Sequence, residues 1–154
     1  MYTPFLTIHS YLRWVVLVLA VVALVRAVGG VRARREWEAT DEAASRWFII
    51  GLDVQALVGI VLYAFLSPFT SVAFADLAAA MRDPALRLIT IEHPVGMVVA
   101  IALAHVGRAR SRKAGDPARK HRAAALFYGL ALLLMLLTTP WPFMAGGRAL
   151  FRGL

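Results

Sequence analysis

The chain has 154 residues, 60% of them hydrophobic, with a mean hydropathy of +0.69, a formal charge of +8 and no cysteine. That length suits one domain, and the missing cysteines exclude disulfides, thiolate ligands and cysteine-based zinc or iron–sulfur sites. The hydropathy exceeds that of soluble globular proteins, and no nucleophile–base constellation, phosphate loop or metallohydrolase spacing is present, so quinol redox turnover is the only enzymatic chemistry left open.

A membrane-spanning helix needs about 20 mostly apolar residues. Four stretches qualify, at residues 4–28, 47–66, 88–107 and 123–141. The prediction is an all-α, integral membrane four-helix bundle forming one domain over residues 1–154. The first span has no basic leader and no A-x-A site, and more spans follow it, so it is expected to stay as an anchor. It carries His9, Arg13 and Trp14. A basic loop with Arg32, Arg34, Arg35 and Arg46 leads to the second span, which carries Gly51, Asp53, Gln55 and Gly59. The next connection, "SPFTSVAFADLAAAMRDP", predicts one short surface helix over residues 72–81, then Asp83 as N-cap and Pro84 in the first turn of the third span. The third span places Glu92, His93 and Pro94 side by side and ends near His105. A second basic loop, with His121 expected to be solvated among its charges, leads to the fourth span. The tail "TTPWPFMAGGRALFRGL" breaks that span and puts Trp141 and Phe143 at the interface.

Twelve of the seventeen Lys and Arg residues lie in or beside the two basic loops. The positive-inside rule makes those loops cytoplasmic and places both termini outside. The opposite side carries Arg82, Arg87, Arg148 and Arg152. The positive charge therefore reads as a topology signal and not as a nucleic-acid footprint.

Ionisable groups at membrane depth are costly and are functional candidates. His9 lies about five residues into span one and His93 about five into the apolar part of span three, so each sits roughly 8 Å below the outer surface. Spans one and three run parallel. Two imidazoles at one depth suit a flat ligand clamped between them, such as a bis-histidine b-type heme with His9 and His93 as metal ligands. Pro94 withdraws a backbone N–H from the Thr90 carbonyl and is expected to kink the helix and aim His93. Arg13, one turn deeper than His9, is expected to snorkel outward, toward Glu92 as an ion pair or toward a heme propionate as a cofactor contact. Gly51, Gln55 and Gly59 share one face of span two, suiting either close helix packing or a planar ligand. Quinone is the other candidate, since an imidazole can donate to a quinone carbonyl. Asp53 and His105 are expected to pair near the cytoplasmic side. A second inner site between His105 and His121 is the weaker arrangement.

The segments "HSYLRWVVLVLAV", "QALVGIVLYAFLSP", "LRLITIEHPVGMVVAIALAHVGRARSRK" and "PWPF" resemble, in order and spacing, a family of small bacterial four-helix membrane proteins commonly labelled cytochrome b. The resemblance covers nearly the whole chain and implies a b-type heme held by His9 and His93, in a multi-pass protein of the bacterial inner (plasma) membrane. Members often carry a histidine where this chain has Asp53, and a different residue where it has His105, which puts an inner-leaflet site in doubt.

Two readings stay open. One is an electron-transfer protein with a heme near the outer leaflet, exchanging electrons with quinol or a partner complex. The other is a cofactor-free accessory subunit of a larger respiratory or photosynthetic membrane complex. Beyond the lipid bilayer, the expected partners are such a complex or further copies of the chain. The apolar middle of the spans speaks against an ion path.

Overall fold

Long apolar segments satisfy their own backbone hydrogen bonds only as helices when water is excluded. The computed structural model describes residues 1–151 and contains helices and turns but no strand among them. Helix α1 covers Tyr2–Ala33 and stops at Arg34, whose left-handed backbone (φ 50°) lets its N–H reach the Gly30 carbonyl. Helix α2 covers Ala39–Val61 and continues through a π turn at Leu62–Leu66. Three short helices follow: α3 at Pro68–Ala75, α4 at Leu77–Arg82 and α5 at Pro84–Arg87. A second π turn at Leu88–Glu92 leads into α6, His93–Lys113, and α7 covers Pro117–Thr138. Four continuous helical stretches, at Tyr2–Ala33, Ala39–Leu66, Pro84–Lys113 and Pro117–Thr138, are long and apolar enough to cross a membrane. Arg152 lies outside the described residues.

Three local expectations change. The second span begins at Ala39, eight residues before Trp47, because Glu38 and Asp41 form a reciprocal capping box. The single surface helix is two helices: Ser67 caps α3, and Asp76 interrupts the run by accepting from the Ala79 N–H to start α4. At Pro94 the chain forms a π turn and not a simple kink, so α6 starts at His93 with Pro94 in its first turn.

Around the bundle, α1 packs between α2 and α7, and α7 packs between α1 and α6. Helices α2 and α6 meet only sparsely, which makes the fourth side a cleft. The seams are built from small residues. Ala20, Ala100, Ala104, Ala124 and Ala131 are fully enclosed. Large apolar side chains point outward instead, among them Val18, Val25, Leu57, Ile60, Val98 and Leu137. Small residues inside and large apolar residues outside is the pattern of helices that pack by close approach in lipid.

The loop end of the bundle is tied by charge. Asp41, almost wholly buried, accepts from Arg26 at 2.9 Å, from Arg35 at 2.7 Å and from the Glu38 N–H at 3.0 Å. Arg108 donates to Glu42 at 2.7 Å and to Ser45 at 3.0 Å, and Ser45 bonds the Tyr128 hydroxyl. A buried carboxylate is tolerable only when ringed by such donors.

Candidate functional site

At the end of the bundle that carries the termini, the helices enclose a cavity of about 370 Å³. It lies within the roughly 300–1,000 Å³ of small-molecule and cofactor sites. Its walls are apolar side chains of α1, α2, α6 and α7, and its polar residues include His9, Arg13, Gln55, Tyr63, Thr70, His93 and Arg148.

Prolines organise this end. Each lacks an N–H and so withdraws a donor from the carbonyl four residues back. Pro94 deprives Thr90, and the Tyr63 hydroxyl of α2 donates to that carbonyl at 2.9 Å. Pro140 ends α7 and deprives Leu136, whose carbonyl takes the Trp141 indole N–H at 2.7 Å. Thr138 closes α7, so its carbonyl has no helical donor, and it lies 3.0 Å from His93 Nδ1. Gly96 makes that last contact reachable. A Cβ there would collide with the Thr138 side chain, so only glycine lets α6 come this close to α7.

The Thr138 carbonyl decides the His93 tautomer. A carbonyl can only accept, so the Nδ1 beside it carries the hydrogen, and the neutral ring keeps its lone pair on Nε2. A metal-ligating histidine is oriented in this way, by donating its other N–H to a backbone carbonyl.

His9 comes from α1, and its ring packs against Gly59 of α2, where an added Cβ would lie 3.2 Å from its Cε1. Gln55 anchors α2 to the same turn by donating to the His9 carbonyl at 3.0 Å. The ring centres of His9 and His93 are 6.4 Å apart and nearly perpendicular, at 86°. Two opposed imidazoles on one iron hold their centres roughly 6 Å apart, from ~2 Å per metal–nitrogen bond and ~1 Å to each ring centre. The observed separation is close to that value. Among the described residues no group of three or more His, Asp or Glu could hold a bare ion. Two imidazoles alone suit a metal that brings its other four donors with it, as a porphyrin does.

Four buried polar atoms without partners, His9 Nδ1, Arg13 Nε, Gln55 Oε1 and Thr70 Oγ1, belong to residues lining this one cavity. Buried polar groups in native proteins are normally paired. Their concentration sets this cavity apart from the rest of the bundle.

The expected Arg13–Glu92 ion pair is absent. Glu92 accepts from Arg87 at 2.7 Å on the outer rim, because an i→i+5 turn brings residues five apart together. Arg13 donates instead to the Leu150 carbonyl at 2.8 Å, a bond shared by the Trp14 indole at 3.1 Å. Its guanidinium lies over the rings of Trp14 and Trp141. Trp14 thus helps to hold the tail across the bundle's end, where Phe151 stacks on it at 5.6 Å.

Asp53 and His105 do pair, at 2.8 Å across the α2–α6 cleft. His121 was expected to be solvated, but it is fully buried against Gly30 and Trp37. It is therefore not paired with His105, and the structure does not bring together a second inner site. The sequence reading missed Tyr63 as a cavity residue, Thr138 as the partner of His93, and Arg148 as a further cavity residue. Pro94 was the available signal for the first, since it announces an orphaned carbonyl, and Pro140 for the second, since it ends α7.

No family model matches the chain, and no curated protein or solved structure matches it either.

Proposed function

We propose that this protein is a multi-pass electron carrier, or an electron-transfer subunit, of the bacterial inner membrane. It holds one b-type heme between His9 and His93, and the end carrying the termini faces outward. The observation that carries the reading is the imidazole pair, from parallel helices, with ring centres 6.4 Å apart in an apolar cavity. The likeness of "HSYLRW" and "EHPVGM" to the small family labelled cytochrome b points the same way. The outward orientation rests on the twelve basic residues gathered at the loop end.

A heme held by His9 and His93 would supply one-electron exchange. The chain's own residues do the positioning. The Thr138 carbonyl fixes His93 with Nε2 bare, Gly59 leaves room for the His9 ring, and Gln55 ties their helices together. The apolar walls exclude water. The α2–α6 cleft offers a route by which quinol or a partner complex in the bilayer can approach.

The test is spectroscopic. Wild type, His9→Ala and His93→Ala are expressed with added heme, and reduced-minus-oxidised spectra and heme per chain are compared. Wild type should give a low-spin b spectrum, and each variant should lose it. Retention of the low-spin spectrum in both variants refutes the ligand assignment. A wild type without heme hands the chain to the accessory-subunit reading.

A further inference from the structure

The geometry points to an anion clamp in the cavity: Arg13 and Arg148 together receive carboxylate groups of the bound ligand. The inference rests on the heme reading for the identity of that ligand, while the clamp itself stands on charge.

Both arginines line the cavity, and no Asp or Glu lines it with them. Neither arginine forms an ion pair among the described residues. The three acids at this end are committed elsewhere. Asp76 caps α4, Asp83 caps α5, and Glu92 holds Arg87. Arg13 is held by a neutral carbonyl and two indoles, and its Nε is buried without a partner. Arg148 comes from the tail, where its N–H is fixed to the Pro140 carbonyl at 3.0 Å and its guanidinium lies 4.5 Å from the Phe69 ring centre. Thr70 Oγ1, also buried and unpartnered, is a third group available to an oxyanion in the same cavity.

Two cations in an apolar wall are costly unless a counter-ion joins them. A guanidinium matches a carboxylate with two parallel N–H donors. The ligand class is therefore an amphiphile with a broad apolar body and carboxylate at one end. A dicarboxylic porphyrin meets that description, a neutral quinone does not, and a free fatty acid shares the carboxylate alone.

The experiment uses the purified full-length protein in a neutral detergent and three probes: hemin, hemin dimethyl ester and oleate. Affinities for the porphyrins come from absorption titrations, and oleate is read by thermal protection. Hemin should bind wild type about tenfold more tightly than its ester, as expected for one charge-assisted pair. Arg148→Gln should shrink that difference by weakening hemin alone, with Arg13 keeping the remainder. The tail position of Arg148 makes loss of folding a separate, visible outcome in the thermal melt of Arg148→Gln, and Arg148→Lys then serves in its place, keeping charge but not the two-pronged contact. Equal affinity for hemin and ester overturns the clamp and leaves the heme reading standing. If neither porphyrin binds but oleate protects wild type and not Arg148→Gln, the heme reading falls and the clamp stands for a fatty-acyl carboxylate. If no probe binds, both fall.

Discussion

The Tyr63–Thr90 hydrogen bond follows from a missing proton on Pro94, and that makes it testable by a double-mutant cycle. Thr90 is buried, so its carbonyl finds no water when Tyr63→Phe removes the donor. Loss of the bond itself costs about 0.5–1.5 kcal/mol, and an orphaned buried acceptor raises that toward ~2 kcal/mol. Hydrogen bonds between membrane helices average nearer ~0.6 kcal/mol, because the unfolded helices also find partners. About 1–1.5 kcal/mol is the expected loss for Tyr63→Phe in the wild-type background. In a Pro94→Ala background the new N–H at position 94 reaches the Thr90 carbonyl from within the helix, and Tyr63→Phe should then cost about 0.5 kcal/mol or less. The coupling of ~1 kcal/mol lies within the range measured for residues sharing a partner. Reversible denaturation of the four proteins in mixed micelles measures it. Equal costs in the two backgrounds would show that Tyr63 stabilises by packing alone and that the proline argument is wrong.

Other predictions follow from the same structure. A reporter fused after Leu154 should read as external and one inserted at Ala114–Gly115 as cytoplasmic; the reverse pattern would invert the proposed orientation. His105→Ala should leave any heme spectrum intact and cost about 0.6 kcal/mol, the average of a hydrogen bond between membrane helices. Loss of heme in that variant would make the α2–α6 pair part of the cofactor site. Gly30→Ala should destabilise by about 1–3 kcal/mol, since its Cβ would collide with the buried His121 ring. A thermal melt equal to wild type would mean that α1 and α7 do not pack as closely as described.

Much of the fold was legible because hydropathy reports directly on helices that must hide their backbone from lipid. The four spans, the cap at Asp83 and the Asp53–His105 pair all follow from composition, spacing and depth. His121 shows where local composition misleads. Its neighbours in "ARKHRAAA" are charged, but His121, Ala124, Tyr128, Ala131 and Met135 recur at intervals of three and four and form the buried face of α7. The periodicity carried the information that composition hid. Glu92 was assigned the wrong arginine because a 3.6-residue reading cannot anticipate a π turn. The tail's return to Arg13 and Trp14 depends on tertiary contacts more than 130 positions apart, for which one sequence gives no spacing rule.

The location of the cavity follows from how each level of the bundle is held together. At the loop end, ion pairs around Asp41 and Arg108 draw the helices in. In the middle, enclosed alanines bring the backbones close and leave no room for a ligand. At the terminus end, among the described residues, no ion pair joins two of the long helices, and close approach is confined to Gly59 and Gly96. There the helices are joined by single hydrogen bonds to backbone carbonyls: Tyr63 ties α2 to the π turn before α6, His93 ties α6 to α7, and Gln55 ties α2 to α1. One of these carbonyls has lost its backbone donor to Pro94, and another closes α7, which Pro140 ends. A carbonyl tie fixes spacing without filling the space between helices, so it can hold two imidazoles at a set separation around an open centre. That arrangement is what the proposed heme site needs. Ligands fixed before binding lose little freedom when the cofactor enters. The prolines of "EHP" and "PWPF" thus belong to the site as much as the histidines do, because they release the carbonyls that hold it open.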